Sequence, residues 1–448
     1  MNDYETLVAA DSCDENSLAC RLAGAMQAVR VGAPVACPDP LVTVGAGVAV
    51  PVTIAFTLWA AQRAEELDLE RLYFAGRNGY LPWVAYDRLP SQVTGDVPGT
   101  YIRVSRDVVR QAAAALDPDR WIACGHETPT SFLRQHADRM PLRRLLGRAV
   151  ADPEQHRQLL HGLGLELDAP LPDGAGPAWR AVFASHEVRD AIAETASNAL
   201  PLLRDWLAQH GFLDNERVGL VDVGWRGQQA AMLDLVLQQA GGADVHHLHL
   251  GRNKVESLLT DARIDRYLID VERPLVKNPV ALFETLYATT QPGLTGLRRS
   301  PGGVVEPVFR EGPDPVGRSP HILPLRDLVI SAVDAMAPRL TSADRETELR
   351  PRVCAVARRF WESPTPAEAR WWSTLPYELD ASGRLVRPLG APVRLAELPD
   401  IVRRRSLGDR QWSRGAVMAS SPLIRYGLSF VQRLPRTPAQ ALSVAGRG

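Results

Sequence analysis

The stretch RVGLVDVGWRGQQAAMLDLVL, residues 217–237, decides the fold. An apolar run reaches Asp222, Gly224 and Gly227 break it, and apolar residues then recur at helical spacing from Gln228 onward, so strand, turn and helix are expected in sequence. A strand that turns through glycine into a helix presents bare backbone N–H groups at the helix N-terminus, which favours anions, phosphate above all. Asp222, Gly224, Trp225, Arg226 and Gly227 are therefore the candidates for a phosphate-binding turn, with Asp222 as base or metal ligand and Arg226 as a bidentate clamp. Plainer roles stand beside these: Asp222 as a helix N-cap, Trp225 as a core residue, and the arginine as a solvated side chain.

Working outward, RLYFAG reads as a buried strand, RNGYLP as a tight turn, WVAYDRL as a helix start and TYIRVSR as a second strand. Strand, turn, helix, strand is the βαβ pattern of a parallel sheet. Arg77 and Arg106 each follow a strand, so both are expected at the carboxyl edge where Asp222 points, together with Asn78 and Gly79. An internal ion pair is the alternative role for each arginine. Residues 107–215 turn helical and Arg-rich, and the sheet resumes with VGLVDVG, DVHHLHLG and RIDRYLIDV. The expected class is α/β, a doubly wound, mostly parallel Rossmann-like sheet with a helical insertion and a C-terminal helical region.

The expected divisions are an extension over 1–40, core over 41–106, insertion over 107–215, core over 216–310, a helical or irregular region over 311–400 and a basic tail over 401–448. Residues 293–316 read as a hairpin or loop, and Thr365 to Pro399, with Trp371 and Trp372, as irregular packing. His246, His247 and His249 follow one another along a strand, with His247 expected to face away from the other two and metal binding disfavoured.

Composition narrows the classes. The 448 residues carry a formal net charge of −1, so no global field attracts nucleic acid. Five scattered cysteines form no CxxC pair, which points to a reduced, cytoplasmic protein without a structural metal. The acidic start MNDYETLVAADSCDENS lacks the basic and apolar regions of a secretory signal. LVTVGAGVAVPVTIAFTLWAA, residues 41–61, is long and uncharged enough to span a bilayer, yet Gly45, Gly47 and Pro51 favour a strand or loop followed by a buried helix from Pro51 to about Glu66. Beyond Ile401 nine arginines stand against the single acid Asp409, interleaved with Trp412, Leu423 and Tyr426. That tail reads either as a surface helix with a loose terminus or as a contact, over 401–436, to the inner membrane face or to a glycosyltransferase.

Standard nucleotide motifs are missing. AGRNGY and VGWRGQ fall short of GxGxxG, no P-loop lysine is present, and Gln228 stands where a sugar-kinase phosphate loop needs a hydroxyl. Phosphoribosyltransferase-like loops also place an acid, a glycine turn and a helix around a ribose phosphate, but with adjacent acids that Asp222-Val223 does not supply.

The set LYFAGRNGYLP, YIRVSRDVVRQAA, GLVDVGWRGQQ and FETLYATTQPGLTGLRRSPGGVVEPVF, in this order and spacing, resembles the C-terminal region of predicted HAD-superfamily hydrolases of surface-polysaccharide biosynthesis clusters, over about Val42 to Phe309. In that family a strand-borne DxD in the N-terminal half supplies the aspartyl nucleophile, and this chain begins after it; Asp117-Pro118-Asp119 does not follow an apolar strand, so a HAD phosphatase is not expected. The resemblance places Glu284, in ALFETLY, at a family position as an acid/base or an arginine's partner. It also puts RDG where Arg77-Asn78-Gly79 stands, so any acid chemistry at that point is altered here.

Two functional readings follow. One is a sugar-phosphate hydrolase or transferase, binding a phosphorylated or nucleotide-activated sugar, with Asp222 and Glu284 as acid/base groups, Arg77, Arg106 and Arg226 as clamps, and magnesium as the one metal to test at Asp222. The other is a non-catalytic assembly component that acts through its basic tail.

Overall fold

The computed structural model describes residues 1–10, 14, 16–116, 141–147, 149–172, 174–225, 227–252, 263–269, 275–276, 279–312, 314–344, 346–378, 386–404, 407–408 and 410–433. Its centre is a five-stranded, all-parallel sheet in the order β2-β1-β3-β4-β5. The strands are β1 (Arg71–Ala75), β2 (Gly99–Ile102), β3 (Arg217–Trp225), β4 (Asp244–Arg252) and β5 (Ile264–Ile269). Strand β3 does not stop at Asp222 but continues three residues to Trp225, its register with β4 holding Asp222 beside His249.

Helices cover both faces because side chains alternate along the strands. Leu72, Phe74, Val221, Val223, Leu248 and Leu250 join one core, and Tyr73, Ala75, Val218, Leu220 and Val245 another. On the first face lie α1 (Asp3–Ala9), α2 (Leu18–Val31), α3 (Asp39–Val44), α4 (Val50–Glu66) and α5 (Tyr80–Tyr86). The short α6 (Ser91–Thr94) leads to β2. On the second face lie α7 (Arg106–Ala113) and, beyond α8 (Leu142–Leu146), α9 (Arg157–Gly162) and α10 (Gly176–Ala184), the long α11 (His186–Gln209) and α12 (Gln228–Ala240).

The Arg-rich region 107–215 is therefore only in part separate. Its ends, α7 and the C-terminal half of α11, lie on the sheet through Val108, Val109, Leu203 and Trp206. Its middle gathers a core of its own around Leu142, Leu160, Trp179 and Ile192.

Where a strand or loop was expected after Leu41, the chain is helical throughout: α3, a π turn at Gly45–Ala49, then α4 with Pro51 in its first turn. Glycine suits this crossing for packing reasons, since a Cβ on Gly47 would lie 2.6 Å from the Tyr4 ring and one on Gly45 2.6 Å from Leu328. The run Asp39–Glu66 has the length and apolarity of a membrane span, but 94% of its most apolar window is buried inside the protein. It is the central helix of the first core.

After β5 come α13 (Pro279–Leu286), the antiparallel hairpin β6 (Leu294–Arg299) and β7 (Val305–Phe309), α14 (Ile322–Met336) and α15 (Arg350–Glu362). Thr365 to Pro399 is more regular than its prolines suggested. Thr365 and Glu368 form a capping box that starts α16 (Pro366–Trp372). A small hairpin then follows from β8 (Pro376–Glu378) and β9 (Val386–Pro388). The last described elements are α17 (Leu398–Arg404), α18 (Ser413–Ala419) and α19 (Pro422–Arg433). The tail is not loose at its start, because Trp412 is buried against Phe360 and Trp361.

Candidate functional site

The strand order reverses direction between β1 and β3: the chain goes from β1 outward to β2, then returns to add β3, β4 and β5 on the other side. At such a point the connections leave the sheet in opposite directions and open a crevice beyond the carboxyl ends of the strands. A cavity of about 490 Å³ lies there.

The turn after β1 supplies its floor. Gly76 has φ +64 and donates its N–H to the Ile102 carbonyl at 3.0 Å, tying the turn to β2. Arg77 and Asn78 line the cavity. Gly79 does not; a Cβ there would meet the Ala75 oxygen at 2.5 Å and its nitrogen at 2.6 Å, so glycine is needed for the backbone to double back, not for a ligand. Arg106 lines the cavity from the first turn of α7, whose N-cap Ser105 accepts from the Val108 N–H at 3.3 Å.

Asp222, Gly224 and Trp225 reach the cavity from β3. Gly224 has φ +96, and a Cβ on it would lie 2.5 Å from the Gly251 carbonyl oxygen. Gly227, not Asp222, is the N-cap of α12. Trp225 also lines the cavity, but the residue is 4% exposed and its ring stacks at 6.1 Å on Phe283 in the first core. It is thus a core residue rather than a stacking platform. Arg226 lies outside the described residues.

Asp222 and Glu284 are the two acidic groups of interest. Burial pushes the Asp222 carboxyl up to about 6, against the opposing influence of the Val223 N–H, which it accepts at 2.7 Å, and of the Arg106 charge. Glu284, on α13, is also raised, again chiefly by burial. It accepts a 2.7 Å hydrogen bond from the Tyr377 hydroxyl and feels the charges of Arg106 and Arg77. The Arg106 charge thus acts on both carboxyls, and all three residues line the same cavity.

Arg77 does not pair with Asp222. Its guanidinium meets Glu378 of β8 at 2.6 Å, and Arg310 meets the same carboxylate at 2.9 Å. The cavity is lined by Arg77, Arg103 and Arg106 against Asp107, Asp222, Glu284 and Glu378, so it is of mixed charge. His321 adds a neutral polar group: burial lowers it to about 4, its Nδ1 lies 2.8 Å from the Ser319 hydroxyl and its Nε2 3.0 Å from the Thr285 carbonyl.

The histidines of β4 correct another expectation. His247 and His249, two residues apart, share a face with ring centroids 6.0 Å apart, and His246 is the one that faces away. His247 meets Asp234 of α12 at 2.7 Å. Among the described residues no three His, Cys, Asp or Glu side chains are grouped to hold a metal, so the magnesium expectation gains no ligand set at Asp222.

Glu378, Tyr377, Tyr101, Arg103, Gln291 and His321 were not foreseen from sequence. Their alternation or spacing carries no signal for the site, and Glu378 lies 301 residues from the arginine it pairs with. Comparison of the chain with protein-family models and with curated proteins finds no match to either.

Proposed function

We propose that this cleft binds a phosphorylated or nucleotide-activated sugar and that the chain serves cell-surface polysaccharide biosynthesis, on a doubly wound, Rossmann-like frame of strand order 2-1-3-4-5. The observation that carries the reading is that Arg106, in the first turn of α7, lines one cavity with Asp222 and Glu284 and that its charge acts on both carboxyls. A guanidinium in that position is suited to a phosphoryl oxygen, and the two carboxyls beside it are suited to moving protons to and from the group attached to that phosphorus.

The two carboxyls divide the work. Asp222, raised only to about 6, is ionised at neutral pH and close enough to it to act as base. Glu284 holds its proton more readily than an exposed glutamate, since burial raises it, and serves as the acid toward a leaving oxygen. Hydrolysis and glycosyl or phosphoryl transfer share this requirement, and the acceptor, water or a hydroxyl, decides between them.

The test is thermal denaturation and calorimetric titration with glucose 1-phosphate and UDP-glucose, with and without magnesium. Binding by the native chain, with turnover lost in Asp222→Asn, is the expected result. No binding of any of these compounds would end the proposal.

A second reading, an assembly component acting through the tail, rests on α19, where Leu423 and Tyr426 are 73% and 80% exposed. It expects the full chain to sediment with anionic vesicles and a chain ending at residue 421 not to do so.

A further inference from the structure

Resting on the reading just given, we infer that the cleft holds two phosphoryl groups at once, one on Arg106 and a second on Arg103 with Gln291, so that its ligand is a diphosphate ester rather than a monophosphate. The chain that joins the two arginines is itself cavity wall, because Val104 and Ser105 line the cavity between them. Three residues of extended chain span about 10 Å at most, which puts both long side chains within reach of one diphosphate. Helix α7 starts on this wall, and N–H groups at a helix start favour anions. Asp107 stands there too, but its carboxylate is paired with Arg110 at 3.0 Å.

The arginines that line the cavity differ in what balances their charge. Arg77 is ion-paired with Glu378 at 2.6 Å, and the Arg106 charge acts on Asp222 and Glu284. Arg103 forms no ion pair with a described residue. Its polar neighbours are uncharged: Nε donates to Gln291 Oε1 at 3.3 Å, and the Tyr101 hydroxyl lies close by. A partly buried cation with no counter-charge is costly, and an anionic ligand supplies the charge that the fold leaves out.

The guanidinium is also held in place. It lies 5.9 Å from the Tyr101 ring centre and 5.4 Å from that of Phe309, so both rings engage it while Gln291 fixes its Nε end. The four N–H groups on its Nη atoms outnumber the one hydroxyl beside them, and a guanidinium edge of this kind meets a phosphoryl group through two parallel hydrogen bonds. Gln291 adds to the donors. Its Oε1 accepts from the Tyr101 hydroxyl at 2.7 Å as well as from Arg103, and its amide N–H groups have no hydrogen bond to a described residue. The seat therefore offers donors and positive charge at a place apart from the Asp222 and Glu284 carboxyls, which suits a phosphoryl group that is held rather than transferred.

The experiment is calorimetric titration of the full chain with orthophosphate, pyrophosphate and glucose 1-phosphate in metal-free buffer. Pyrophosphate is expected to bind roughly tenfold tighter than orthophosphate, the gain from one further charge-assisted contact. Arg103→Met, which keeps an apolar stem between the two rings, is expected to bring that ratio to about one. Arg263→Met, which removes the same charge from an exposed position off the cavity wall, should leave the ratio unchanged. Far-UV circular dichroism and the urea midpoint report that both variants are folded. A native ratio near one with glucose 1-phosphate still bound, or a ratio that survives Arg103→Met, overturns the second seat and leaves the sugar-phosphate reading standing. Loss of all three ligands in folded Arg103→Met would show one seat in place of two and overturns it as well. Failure of every probe to bind the native chain overturns both.

Discussion

The Glu378 carboxylate meets the Arg77 guanidinium at 2.6 Å, although one belongs to a hairpin near the end of the chain and the other to the turn after the first strand. Arg310 shares that carboxylate at 2.9 Å, and Glu378 is only 9% exposed. A carboxylate held between two guanidiniums occupies the position that a phosphoryl group would take on Arg77. A phosphoryl group on Arg77 must therefore compete with Glu378.

This makes Glu378→Gln informative. The amide keeps the size and one acceptor but removes the charge, so Arg77 loses its ion pair while Arg310 keeps Asp314 at 3.7 Å. Breaking a buried pair from one side is strongly destabilising, and with Arg77 about one-third exposed the expected loss is about 2 kcal/mol. Urea denaturation reads that loss. Affinity for glucose 1-phosphate should rise several-fold in the same variant as Arg77 is released; an unchanged affinity would show that Arg77 is a structural residue alone.

Asp222→Asn separates the chemistry from the fold. Asparagine still accepts the Val223 N–H but takes up no proton, so turnover should fall by about 10² to 10⁴ while ligand binding persists. The stability effect has a definite sign. A carboxyl raised from 3.8 to about 6 binds more protons folded than unfolded in that window, so the native chain gains stability from this group at the acid end and loses it as pH rises toward 6. Melting temperatures from pH 4 to 7 should show the variant without this contribution and relatively more stable at pH 7.

His321 acts in the opposite sense. Burial lowers it to about 4, so between that value and the ordinary 6.5 the unfolded chain binds a proton the folded chain does not. Stability from the neutral ring is present above 6.5 and lost as pH falls toward 4, at up to about 1.4 kcal/mol per pH unit. His249, lowered to about 3 by burial, adds to this acid loss. Replacing His321 with Gln should make the dependence of stability on pH shallower between 4 and 6.5. An unaltered slope would mean that the ring takes up its proton without unfolding.

Much of the frame was legible because its signals are local. The apolar runs of β1, β3, β4 and β5, bounded by turn residues, identify themselves by period and composition. Asp222, Glu284, Arg77, Asn78 and Arg106 were all named in advance, and all line one cavity. Which of them pair was not legible, because Arg77 is neutralised by Glu378 and Glu284 is bonded by Tyr377, both from a hairpin that no spacing ties to the sheet. Gly45, Gly47 and Pro51 misled for a related reason. As sequence they read as breaks, but in place they admit Tyr4 and Leu328 against a helix that a π turn keeps continuous. Trp225 beside the glycines looked available to a ligand, and only its tertiary partner Phe283 shows that the ring is committed to the core.

The basic tail offers the clearest contrast between composition and packing. Trp412 lies among nine arginines and one acid in sequence, yet it is 1% exposed. It stacks on Trp361 at 5.0 Å with 10° between the rings and touches Phe360 at 5.1 Å, while its Nε1 donates to the Trp361 carbonyl at 2.7 Å. Those partners belong to α15, which packs on the same core as α4. Truncating such a side chain removes its buried area and leaves a cavity that the surrounding rings cannot close, so Trp412→Ala should cost about 3–5 kcal/mol. Trp412→Phe should recover part of that loss but not the hydrogen bond. Chemical denaturation of the two variants measures both steps. A loss below about 1 kcal/mol in Trp412→Ala would instead place the segment at the surface, as the charge of its neighbours had implied.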